Sequence, residues 1–130
     1  MINPALAVRI EQLKAIASYI DNGSGYATVV FYEGTQVANT TIAADNSKRL
    51  VTLTLPKPSL KDVNSDNITL QPSDTATIIK SGTAVWARLY NADGITVADF
   101  AVGTDITLAT PSLVVNNTLT INSITLRPST

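Results

Sequence analysis

The chain has 130 residues, 45% hydrophobic and 15% charged, the size and balance of one globular domain. At this length a single core buries roughly 65 to 70% of the unfolded surface and needs neither disulfide nor structural metal. Nine basic against ten acidic residues leave a formal charge of −1, and Lys48–Arg49 is the only adjacent basic pair, which speaks against the clustered basic surface of a nucleic-acid binder. Cysteine and histidine are absent, so thiol chemistry, disulfides and imidazole catalysis fall away together.

From Asn3 to about Ile20 the pattern is helical. Asn3 suits an N-cap, Pro4 sits where a missing N–H costs nothing, and Leu6, Ile10, Leu13, Ala17 and Ile20 recur at steps of three and four. "DNG" should end the helix, with Gly23 in the left-handed conformation. Arg9, Glu11, Gln12 and Lys14 interrupt the apolar positions, unlike a secretory leader. No run approaches the ~18 apolar residues of a membrane span, so the expectation is a soluble protein without a membrane partner. Residues 1–25 are read as an amphipathic helix and turn packed on residues 26–130, a β-sandwich, in one domain overall.

After Gly25 short runs of Val, Ile, Thr and Tyr alternate with Gly, Pro, Asn and Asp. Strands are expected near 26–32, 36–43, 49–55, 67–70, 76–80, 83–90, 95–102, 105–108, 113–115 and 118–126. Such spacing without helical periods indicates a mainly β fold, an antiparallel sandwich or jelly-roll-like arrangement with one N-terminal helix. Pro56 and Pro58 in "LPKPS" mark an exposed crossover between sheets.

The stretch "SGTAVWARLYNADGITVADF", residues 81–100, holds the only tryptophan. Alternation sets Thr83, Val85, Ala87 and Leu89 on one face and Ala84, Trp86, Arg88 and Tyr90 on the other. "NADG" suits a hairpin turn with Gly94 left-handed, so that "ITVADFAV" pairs back on the Trp86 strand. Two readings of the second face stand side by side. In one, Trp86 packs under the N-terminal helix and Arg88 caps it at the solvent edge, the commoner role of a lone tryptophan beside one cation. In the other, Trp86, Arg88 and Tyr90 form a partner-contact patch, since such residues are enriched at binding hot spots.

Catalysis has little to stand on. A nucleophile would have to be Ser or Thr activated by Lys, or a carboxylate pair would have to act as acid and base. Eight Asp and two Glu are present, but most Asp lie in turn contexts where they bond their own backbone. Asp99, inside an expected strand, is read as facing solvent or pairing with Arg88 across the hairpin. "DVNSDN" places Asp62, Asn64 and Asp66 at positions 1, 3 and 5 of a calcium loop. The match then fails, with Asn67 in place of Gly, Ser73 in place of Glu, and no flanking helices. An Asx-turn loop suffices there, and no enzyme activity, cofactor or metal is expected. "NGS", "NTT", "NIT" and "NNT" match the glycosylation sequon but are read as turn residues.

"GTAVWARLYNADG", "VADFAVGTD" and "ITLATPSLVVNNTLTINSITL" together resemble a family of small proteins encoded among the structural genes of tailed bacteriophages. The shared pattern is Gly-Thr-Ala, an aromatic, Arg, a turn ending Asp-Gly, then Val-Gly-Thr and a terminal strand rich in Thr and Leu. The turn "VNN" stands where a glycine-containing turn is more usual. The resemblance implies a jelly-roll-like virion component made in the bacterial host cytoplasm, a decoration or cement protein that stabilises the head. Its partners would be the major capsid protein or other virion proteins, and further copies of itself in a homo-oligomer. Two alternatives accompany this reading: a tail or head–tail component, and, from another class, a carbohydrate-binding β-sandwich using Trp86 and Tyr90.

Overall fold

Apolar residues at helical spacing fold into α1 (Leu6–Ile20) in the computed structural model, which describes residues 5–64, 67–108 and 110–127. Asn3, Pro4 and the Leu6 side chain lie outside the described set, and Ala5 precedes the first turn in extended conformation. Leu13, Ala17 and Ile20 are buried and Ile10 packs partly against them, the stripe expected from the spacing. At the helix end Asp21 N–H donates to the Ala17 carbonyl and Asn22 N–H to that of Tyr19, and Gly23 follows with φ +140°.

That glycine is required twice over. Its φ disfavours L side chains, and an added Cβ would stand 2.6 Å from Asp93 Oδ1 and 2.7 Å from the Ala92 carbonyl carbon. The helix end is fastened there: Ala92 N–H donates to the Ile20 carbonyl at 3.1 Å. Lys57 Nζ donates to the Gly23 carbonyl at 2.6 Å, and Ser59 N–H to both Asp21 carboxylate oxygens at 3.1 Å.

Apart from a single 3-10 turn at Asn46–Lys48, just before β2, the remaining described elements are short strands: β1 (Thr28–Tyr32), β2 (Arg49–Thr54), β3 (Leu60–Val63), β4 (Ile68–Leu70), β5 (Ala76–Thr77), β6 (Gly82–Thr83), β7 (Trp86–Tyr90), β8 (Thr96–Ala101), β9 (Ser112–Leu113), β10 (Thr118–Leu119) and β11 (Ile124–Leu126). All pair antiparallel. One sheet has four strands in the order β2-β1-β7-β8, a second has three in the order β11-β4-β3, and β10-β5 and β6-β9 are two-stranded ladders. The fold is mainly β and sandwich-like, with one N-terminal helix. One apolar core joins Leu13, Ala17 and Ile20 to Val29, Phe31, Leu53, Ala87 and Leu89 of the large sheet and to Ile68, Leu70, Ile124 and Leu126 of the second. Burial of such side chains, roughly 1.5 to 3 kcal/mol each, is the main favourable term. Exposed Pro56 and Pro58 carry the chain from β2 to β3, from one sheet to the other.

Several strand expectations need correction. Residues 36–43 form no strand: Asn39 Oδ1 accepts from Thr41 N–H, and Ile42 N–H donates to the Asn39 carbonyl, local bonds that displace a ladder. The single strand expected over 83–90 is two. β6 pairs with β9, then Ala84 N–H donates to the Pro111 carbonyl and Val85 N–H to that of Tyr32, so the chain changes partners at 84–85. Strict alternation fails there, with Ala84 in the core and Val85 exposed. The stretch 118–126 is likewise divided, because Ile121 pairs with Ser73, donating to its Oγ and accepting from its N–H. Within 105–108 only Ile106 bridges, to Val102. β3 was not foreseen, since Lys61, Asp62 and Val63 are exposed on a sheet edge and carry no apolar alternation. Charged residues on such an edge discourage pairing with other chains.

Candidate functional site

The face of the large sheet turned away from the main core carries the residues singled out by the sequence. β1 pairs with β7 so that Val30 lies opposite Arg88 and Tyr32 opposite Trp86, and β7 pairs with β8 so that Arg88 lies opposite Asp99. Side chains alternate across a strand. Val30, Tyr32, Trp86, Arg88, Tyr90 and Asp99 therefore share this face, while Ala87 and Leu89 enter the main core. The "NADG" turn closes the hairpin as expected. Gly94 has φ +81°, and Asn91 Oδ1 accepts from Asp93 N–H and Ile95 N–H, both at 2.9 Å.

Trp86 and Arg88 are each only 2% exposed, and Tyr90 is half-buried. What covers Trp86 is the connection between β1 and β2. Val30, Tyr32 and Trp86 form a second small cluster against Val37, Ala44 and Tyr90. The expected cover was α1, but α1 packs on the opposite face. Nor does Arg88 cap the ring at the solvent edge. Its guanidinium lies inside, 5.4 Å over the Trp86 ring.

Arg88 organises the cluster. Nε donates to Asp99 Oδ1 at 2.7 Å and Nη2 to Asp99 Oδ2 at 3.1 Å, a two-pronged pair. Nη1 donates to the Ile42 carbonyl at 2.8 Å and Nη2 also to the Asn39 carbonyl at 3.4 Å. The hydrogen bonds to Asp99 hold the guanidinium above its ordinary pKa, against the opposing effect of burial. The Tyr32 and Trp86 rings stack with centroids 4.6 Å apart and planes 22° from parallel. The Tyr32 and Tyr90 hydroxyls are 3.2 Å apart. Burial, then the Tyr90 hydroxyl, push the Tyr32 phenol well above its usual pKa.

Sequence reasoning offered Arg88 as a partner of Asp99, beside a solvent-facing alternative, and missed Tyr32, Val37, Asn39, Ile42 and Ala44. Tyr32 was within reach: alternation in "TVVFY" puts it with Val30, and a β1–β7 pairing brings it to Trp86. The strap carbonyls of Asn39 and Ile42 have no side-chain signature.

Elsewhere, three carboxylates are committed to structure. Asp105 Oδ2 accepts from Ala101 N–H at 2.9 Å and Asp74 Oδ1 from Thr54 N–H at 2.8 Å. Asp45 Oδ1 accepts from Ser47 N–H and Oγ, which holds its carboxyl below the usual range. Among the described residues no group of three or more His, Cys, Asp or Glu could hold a metal ion. Asp66 of the calcium-like segment lies outside the described residues. Asn64 donates through its N–H to the Asn67 carbonyl and through Nδ2 to Asn67 Oδ1. A groove of about 850 Å³ lies between α1, β8 and β11, lined by Leu13, Ile16, Val97, Phe100, Ile124 and Leu126 among others. A second, of about 560 Å³, is lined by Ile78, Leu108, Leu113, Leu119 and Ile121 among others. Neither is lined by Trp86 or Tyr90, the arrangement a glycan platform would need. No described helix is long and apolar enough to cross a membrane.

Compared with protein-family models, with curated proteins and with solved structures, the chain matches none.

Proposed function

We propose that the chain is a structural protein of a tailed-bacteriophage virion, most concretely a decoration protein that stabilises the head through protein–protein contacts and meets copies of itself there. The observation that carries this reading is a division of labour among side chains. Arg88, Asp99, Tyr32, Asp21 and Asp105, side chains able to do chemistry, are engaged in holding the fold. Large apolar side chains are left outside on two adjacent segments: Ile79 is 57% exposed, Val114 50% and Val115 42%. Asn116 N–H and Asn117 carbonyl bond to Ile78, and Val115 N–H donates to Ser81 Oγ, so the segments 78–81 and 114–117 that carry these three are bonded neighbours. Exposed apolar residues gathered in this way suit contact with other proteins. The hairpin motifs of the sequence supply the virion context.

Electron microscopy of purified virions, with the chain located by fitting this fold into the density, tests the proposal. Density on the outer head surface supports the decoration role. Density in the tail or at the head–tail junction replaces it with the second virion role. Absence from particles containing the other structural proteins rejects both.

A further inference from the structure

β1 and β2 are neighbours in one sheet, yet residues 33–48 join them, where loops of about two to five residues usually suffice for adjacent antiparallel strands. No residue from 34 to 45 is buried, while Val30, Tyr32 and Trp86 beneath are almost fully so. The segment is a cover with no core of its own.

We propose that residues 34–45 form a strap that opens as one unit while both sheets stay folded, and that Arg88 is its latch. The main-chain bonds inside the strap are local. Ile42 N–H donates to the Asn39 carbonyl and Thr41 N–H to Asn39 Oδ1, so the 39–42 turn travels intact. Its ties to the sheet are the two Arg88 bonds, to the carbonyls at either end of that turn, and the packing of Val37 and Ala44. The latch is fixed separately: Asp99 holds the same guanidinium through Nε and Nη2, so Arg88 stays on the sheet when the strap lifts. The base is closed by Glu33 N–H donating to the Lys48 carbonyl at 3.0 Å, with Gly34 at φ +82° beside it, and this base serves as the pivot. Segments with few buried apolar contacts and local hydrogen bonds open below the global unfolding free energy. Opening uncovers the stacked Tyr32–Trp86 pair. Strap opening is a property of this chain's own fold, independent of any virion role.

Trp86, the only tryptophan, reports the motion. Acrylamide quenching of its fluorescence and far-UV circular dichroism are followed through a urea titration of the full chain. The expected result is that Trp86 becomes quenchable at lower urea than the loss of strand signal. Arg88→Lys keeps a charge for Asp99 but lacks the planar fork. It should raise the population of the open state about tenfold, the scale of losing a charged hydrogen bond, with the dichroism transition moving less than the quenching transition. Val37→Asp, which removes the strap's apolar tie and leaves every sheet residue in place, should act in the same direction and serves if Arg88→Lys fails to fold. Coincident transitions in the wild type, or Trp86 still shielded in a folded Val37→Asp, would overturn the proposal.

Discussion

Arg88 and Asp99 face each other on adjacent strands and form an ion pair at 2.7 Å with side chains 2% and 6% exposed. The pair sits between a hairpin and a strap, so one guanidinium satisfies a carboxylate and two main-chain carbonyls. Breaking such a pair from one side is costly because the remaining charge stays buried. Asp99→Asn should therefore lower the unfolding free energy by about 3 to 5 kcal/mol in urea titration. The double variant Arg88→Met/Asp99→Leu should recover part of that loss, since removing both charges removes the desolvation cost as well. A double variant less stable than Asp99→Asn alone would show that the strap bonds of Arg88 outweigh the pair.

Alkaline pH should weaken the fold. Tyr32 has a folded pKa raised by burial and by Tyr90, so the folded chain keeps a proton that the unfolded chain releases near the ordinary tyrosine value of about 10. Its contribution is fully present below that value and is lost as pH rises from there toward the folded pKa. Melting temperature measured across this window should fall, and Tyr32→Phe should fall less steeply. Identical slopes for the two proteins would assign the alkaline loss to other groups.

Two glycines separate strain from collision. Gly94 has φ +81° and open space around an added Cβ, whereas Gly23 has φ +140° and would drive a Cβ into Asp93 and the Ala92 backbone. Gly94→Ala should cost about 1 kcal/mol, the conformational part alone. Gly23→Ala should cost clearly more, because the helix end must part from the hairpin turn. Equal losses in thermal melts would mean that the turn gives way freely.

Chelation should leave the protein unmoved. Asp62 and Asn64 are exposed, and Asn64 is bonded to Asn67. A melting-temperature drop above about 5 °C on adding chelator, near one kilocalorie for a domain of this size, would return calcium to the segment 62–67.

Where one physical cause dominated, sequence alone placed the element. Leu13, Ala17 and Ile20 mark the helix, "NADG" the hairpin, and Pro56 and Pro58 the sheet crossover, because periodicity, turn chemistry and a missing N–H act locally. For Asp99 the hairpin offered solvent or Arg88, and the structure takes the second. What failed was non-local. "QVANTTIA" has strand-forming residues, but Asn39 closes its own turn and Arg88, far along the chain, takes the carbonyls. The cover over Trp86 could not be read from alternation, which says that both faces of β7 need partners but not which segment serves each.

The identity of the second sheet face as a closed packing layer is tested most directly by the equilibrium urea unfolding of Trp86→Ala. The ring is stacked on Tyr32, lies under Arg88 and is covered by Val37 and Ala44. Its removal should lower the unfolding free energy by about 3 to 5 kcal/mol, the range for deleting a large aromatic from a core. A variant with wild-type stability that no longer binds its partner would contradict this and make Trp86 a contact residue.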